Sequence, residues 1–169
     1  DLTNSLLACG ADIYEINSLR KHLELLKGGG LARLAAPAKV ISLILSDVIS
    51  DPLDVIASGP TVPDPTTFGD AWRILERYQL LEQTPPAILR RLQRGMQGQV
   101  AETPKTGDVI FTDTTNVIIG SNLLAAQAAV EQAQTIGLNT LLLTTCLQGE
   151  ARHAGRFLAA LARQIAASG

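Results

Sequence analysis

The sequence predicts an α/β fold built on a mostly parallel sheet. Two observations carry this. Val40-Ile41-Ser42-Leu43-Ile44-Leu45 is a continuous apolar and β-branched run, the pattern of a strand buried on both faces. The last third alternates: a strand at 116–120, a helix at 121–136, a strand at 140–144 and an Ala-rich helix at 149–167. Strand, helix, strand, helix in that order implies parallel strands joined by right-handed crossovers.

The earlier elements follow from local chemistry. Residues 2–9 are a short apolar stretch that breaks at Gly10. Across 13–26, Ile13, Ile16, Leu19, Leu23 and Leu26 form one helical stripe, and Lys27 with Gly28-Gly29-Gly30 stops it. Residues 31–36 read as one or two helical turns before Pro37. From Ser46 to Thr67, Pro52, Pro60, Pro63 and Pro65 alternate with Asp47, Asp51, Asp54 and Asp64, a connection too long to be idle. Thr66 or Thr67 caps a helix from Phe68 to Tyr78, and Pro85-Pro86 open another reaching Arg94. Residues 95–115 read as a polar, exposed excursion, and Ser121 or Asn122 caps the helix after it.

Composition bounds the function. The 169 residues suit one domain, so 1–169 is read as a single α/β domain. Its opening at Asp1 reads as mid-helix, the expectation being a piece of something longer. Fourteen Lys plus Arg against 16 Asp plus Glu give a net charge of −2, with no electrostatic footprint for nucleic acid. Charged residues are only 18%, below the roughly 25% of an average domain, so some apolar surface belongs against something else and a homodimer fits. No run approaches the ~20 apolar residues of a membrane helix. Two Cys and two His exclude a disulfide scaffold and a four-Cys zinc site. With no targeting pattern at the start, a cytoplasmic location is expected.

Parallel sheets hold ligands at the carboxyl ends of their strands, which selects three loops. Asp47 and Asp51 follow the first strand; each could accept a substrate proton or hold magnesium on a phosphate, or simply shape a turn. In the same loop, Ser58-Gly59-Pro60-Thr61 offers the Ser58 and Gly59 N–H groups and two hydroxyls, an anion cradle or an ordinary turn. Gly120-Ser121-Asn122 opens a helix, where a phosphate or a plain N-cap fits. Thr144-Thr145-Cys146 leads to Gly149-Glu150-Ala151-Arg152, and Cys146 reads as a small buried residue rather than a nucleophile. Gly28 and Gly29 let backbone approach a ligand closely. Asn17, Arg20 and Lys27 lie on nearly one helix face and could grip an anion, or form a solvated charged face. His22 and His153 read as ordinary. Neither G-x-G-x-x-G after a strand nor G-x-x-x-x-G-K-[ST] is present.

In order along the chain come Glu15-Ile16-Asn17-x-x-Arg20-Lys21-His22-Leu23, Lys27-Gly28-Gly29, Ser46-Asp47-Val48-x-x-Asp51, Ile56-Ala57-Ser58-Gly59-Pro60-Thr61-x-x-Asp64-x-x-Thr67 and Gly149-Glu150-Ala151-Arg152. Over nearly its whole length the chain thereby resembles the class II glycerate 2-kinases, MOFRL-domain-containing proteins also called hydroxypyruvate reductases. Two departures stand out: Ser50 where the family usually has Gly, and Gly30 where it usually has Arg. The resemblance implies a Rossmann-like three-layer α/β/α fold and part of the N-terminal domain of a longer two-domain enzyme, inactive without the missing C-terminal domain. It implies ATP-dependent, Mg2+-assisted phosphoryl transfer to the 2-hydroxyl of D-glycerate. Asp47 or Asp51 would orient that hydroxyl, with Asp47 the magnesium ligand. Arg20 and Lys27 would hold the carboxylate or the moving phosphoryl. Asn17, Gly28, Gly29, Ser58, Gly59, Thr61, Asn122 and Glu150 would line the substrate and nucleotide sites. The alternatives are a hydroxypyruvate reductase-type oxidoreductase and a non-catalytic binding or oligomerisation module.

Overall fold

The computed structural model describes residues 2–168. They form two compact units, one running to Ser121 and the other starting at Asn122. The first holds helices α1 (Leu2–Ala8), α2 (Ile13–Leu23), α3 (Gly30–Ala35), α4 (Phe68–Arg77) and α5 (Pro86–Met96), with strands β1 (Val40–Leu45) and β2 (Thr114–Gly120). Single 3-10 turns lie at Ile56–Ser58, Leu81–Gln83 and Val109–Phe111. The second holds α6 (Asn122–Thr135) and α7 (Ala151–Ser168).

Helix starts follow the capping chemistry. The Asp12 carboxylate accepts from the Glu15 N–H at 2.9 Å, and Glu15 accepts in return from the Asp12 N–H at 3.1 Å. Thr67 and Asp70 repeat the arrangement on α4. Helix α2 ends at Leu23, earlier than the stripe through Leu26 suggests, because Glu24 turns to extended backbone. Leu26 is exposed as a result. Helices α1, α2, α4 and α5 bury Leu6, Ile16, Leu19, Phe68, Ala71, Leu75, Leu80 and Leu92 together. Each large side chain among them contributes about 1.5–3 kcal/mol. Gly95 lets the Phe68 ring lie on the α5 backbone: a Cβ there would stand 2.2 Å from the ring.

Strands β1 and β2 pair in parallel, from Val40 opposite Thr114 to Ile44 opposite Ile118, then slip so that Leu45 faces Gly120. Parallel pairing is thus as the sequence implies, in an α/β chain. Burial on both faces is not. Both strands alternate half-buried and exposed residues, and Ile41, Leu43, Leu45, Val117 and Ile119 lie open on one face. An apolar run records what a strand can tolerate on each side, and within the first unit that face stays open.

Residues 140–144 are not a strand. A strand exists by pairing its backbone, and this segment joins no ladder among the described residues. Leu141, Leu142 and Leu143 are exposed. Cys146, expected to be buried, is exposed with them. Residues 95–115 are not exposed throughout, contrary to expectation: Pro104 is buried, and Glu102 and Thr103 reach inward to α2 and the 54–66 segment.

Candidate active site

The loop leaving β1 is shaped residue by residue. The Ser46 N–H donates to the Gly120 carbonyl at 2.9 Å, extending the ladder past the strand. Its hydroxyl accepts from the Val48 N–H at 3.2 Å, an ST turn that leaves Asp47 exposed at the strand tip. Ser50 and Asp51 follow with φ of 65° and 52°. Asp51 is half-buried.

A second left-handed run follows: Ala57, Ser58 and Gly59, at φ of 51°, 61° and 61°. Side-chain-bearing residues enter this region at about 1–2 kcal/mol each, so the surroundings must hold them there. They do so through hydrogen bonds. The Ser58 hydroxyl donates to Asn17 Oδ1 at 2.8 Å, and Asn17 Nδ2 donates to the Val55 carbonyl at 3.1 Å. The Gly28 N–H donates to the Ser58 carbonyl at 2.9 Å and the Gly29 N–H to the Gly59 carbonyl at 2.7 Å. Asn17 is only 3% exposed, so both ends of its amide serve this turn.

The Ser58 and Gly59 N–H groups close the turn onto Val55 and Ile56, and the Thr61 hydroxyl donates to Asn116 Oδ1 at 2.5 Å. All four donors expected to cradle an anion are therefore engaged within the fold. Beside them a cleft of about 270 Å³ opens between β1 and the 53–62 segment, apolar except for Ser42, Thr61 and Asn116.

The shared face of Arg20 and Lys27 does not form. Because α2 stops at Leu23, the seven-residue spacing no longer places them together. Lys27 sits in the glycine turn and pairs with Glu24 at 2.7 Å. Arg20 is half-buried and makes no ion pair among the described residues. Asn122 is the exposed first residue of α6, and Glu150 is exposed just before α7, its carbonyl accepting from the His153 and Ala154 N–H groups. Both belong to the second unit.

The structure adds a buried ionic network that spacing alone did not reveal. Lys21, 4% exposed, reaches Asp64 at 3.3 Å and Asp54 at 3.7 Å. Asp64 also accepts from the Thr66 N–H and hydroxyl and from the Thr103 hydroxyl at 2.8–2.9 Å. Burial pushes its carboxyl up, but the Thr66 hydrogen bonds, Lys21 and Thr103 outweigh that and hold it below the usual carboxylate value. His22 is the second node. Nδ1 faces the Ser18 carbonyl at 2.7 Å and Nε2 faces Glu102 at 2.9 Å, so both ring nitrogens meet oxygen acceptors. A buried cation beside two acidic residues in a Pro-rich loop was the available signal, but Lys21 falls on the helix face that the Arg20 argument passed over.

Among the described residues no three His, Cys, Asp or Glu side chains cluster as a metal cage. Magnesium on a nucleotide needs only one or two carboxylates plus phosphate oxygens, and the exposed Asp47 suits that coordination.

The parallel pair, with acidic residues past the strand tip, makes this an α/β chain. The chain belongs to the family described as a domain of unknown function (DUF4147), whose model matches residues 1–93. It is 43% identical over 167 residues to the glycerate 2-kinase of Pyrococcus horikoshii, covering 99% of this chain and 37% of that protein. Identity to the mouse (Mus musculus) glycerate kinase is 46% over 98% of this chain and 31% of the relative. The crystal structure of a Thermotoga maritima glycerate kinase superposes with a TM-score of 0.77 at 41% identity, over 97% of this chain and 36% of that one. A relative from Agrobacterium vitis bears the name of a hydroxypyruvate reductase, at 44% identity. The chain spans about a third of the length of these relatives, and among its described residues no helix is long and apolar enough to cross a membrane.

Proposed function

We propose that this chain is part of a glycerate 2-kinase, which transfers the γ-phosphoryl of ATP to the 2-hydroxyl of D-glycerate. The observation that carries the reading is identity above 40% across almost the whole chain to glycerate kinases. Phosphoryl transfer asks for positioning and charge more than for covalent chemistry. Asp47 or Asp51, at the β1 tip, orients the 2-hydroxyl and accepts its proton. Asp47 is the carboxylate that holds Mg2+, whose role when bound is to neutralise phosphate charge. Arg20 holds glycerate's carboxylate or the moving phosphoryl, while Lys27 is engaged by Glu24. Ser58, Gly59, Gly28 and Gly29 form the wall of the site, and Asn17 and Thr61 keep that wall in place. Asn122 and Glu150 bind nucleotide. Turnover needs the rest of the length seen in the relatives, including a C-terminal domain.

The test is ADP release with ATP, magnesium and D-glycerate, run on this chain and on a full-length version. Turnover by the full-length form alone supports the reading; no glycerate-dependent release by either form overturns it. Asp47→Asn in the full-length enzyme is expected to lower kcat by about 100-fold or more. The reductase name of one relative favours a second reading, which saturable NADH or NADPH binding would support.

A further inference from the structure

We propose that a small pocket at the C-terminal end of α2 binds one tetrahedral oxyanion of the inorganic phosphate class. This does not rest on the kinase reading. The pocket measures about 60 Å³ and is lined by Lys21, Lys27, Arg33 and Arg91, with Glu24 as its only carboxylate among the described residues. Size selects the ligand. One water needs about 10–15 Å³ measured in this way, so there is room for a group of a few heavy atoms and none for a nucleotide.

Charge selects its sign. Lys21 is matched by Asp64 and Asp54, and Lys27 by Glu24. The nearby Glu102 carboxylate accepts from His22, from the Phe68 N–H and from the Thr103 N–H, with Lys105 at 3.8 Å. Arg33 and Arg91 are different. Arg33 Nη2 donates to the Glu102 carbonyl at 2.7 Å, and Arg91 Nε donates to the His22 carbonyl at 2.7 Å. Both acceptors are neutral, and among the described residues neither guanidinium pairs with a carboxylate. Each fork is thus fixed by one bond while its charge stays uncompensated and other N–H groups remain for a ligand. Two such forks beside one cavity are preorganised for an anion with several oxygens.

The test is calorimetric titration of the chain with inorganic phosphate at low ionic strength. Saturable binding at one site is expected. Arg91→Gln and Arg33→Gln are each expected to weaken it by about tenfold or more, with unfolding midpoints checking that both variants stay folded. Arg33 lies at the exposed rim, so its replacement leaves the core untouched even if Arg91→Gln loosens α2. Arg73→Gln, in a different cleft, and Asp47→Asn are expected to leave the affinity unchanged. No saturable binding, wild-type affinity in both arginine variants, or a loss in Asp47→Asn overturns the proposal. So does tighter binding of glycerol 2-phosphate than of inorganic phosphate, since that ligand exceeds the pocket. None of these readouts depends on turnover, so failure of the kinase reading leaves this result standing.

Discussion

Asp64 shows how one carboxylate can tie three separate segments together. Its side chain has no exposure to water, and it takes hydrogen bonds from Thr66 and Thr103 and charge from Lys21. Its folded carboxyl sits below the unfolded value of about 3.9. The sign follows: the unfolded chain binds a proton that the folded chain refuses, so this contribution is full above that unfolded value and drains away as pH falls toward the folded one. Urea unfolding of the wild type is therefore expected to weaken below about pH 4, and Asp64→Asn to flatten that part of the profile. At neutral pH the same variant should lose about 3–5 kcal/mol, the scale of a buried pair stripped of one partner. An unchanged midpoint would mean Asp54 alone suffices for Lys21. The two departures from the family pattern also become physical here. Ser50 occupies a left-handed conformation that glycine enters freely. Gly30 packs so tightly that a Cβ would lie 1.9 Å from the Leu25 carbonyl oxygen, so no side chain fits there without moving backbone.

Among the elements, helix caps and the parallel strand pair were legible, because each depends on residues adjacent in sequence or on one continuous apolar run. Thr67 and Val40–Leu45 are of this kind. What could not be read depends on contacts across the chain. The end of α2 at Leu23, the failure of 140–144 to pair and the exposed face of β1 are decided by which neighbour is present, and periodicity is silent on that. The candidate site divides the same way. Asp47 was placed by the strand tip alone, whereas Asn17 and Thr61 turned out to hold neighbouring backbone and strand. Packing of α4 on α5 supplies an element-scale test. Gly95→Ala should push against the Phe68 ring and cost about 1–3 kcal/mol in thermal or urea unfolding. A neutral outcome would show that α5 can shift away from α4 without loss.

At the largest scale, the first unit presents an open sheet face. Ile41, Leu43, Leu45, Val117 and Ile119 form a contiguous apolar stripe on a two-stranded parallel pair, an architecture ordinarily covered on both sides. Leu43→Lys should therefore raise the solubility limit of the chain with little change in unfolding midpoint, since the side chain it replaces is already open to water. The coupling of Gly28 and Gly29 to Ser58 and Gly59 reaches further. It consists of main-chain bonds, so displacement of one loop is handed to the other as by two links of a chain. The amide protons of Gly28 and Gly29 thus become clocks for the opposite loop: a ligand that steadies Ser58 should slow their exchange with deuterium, with no contact of its own to either glycine.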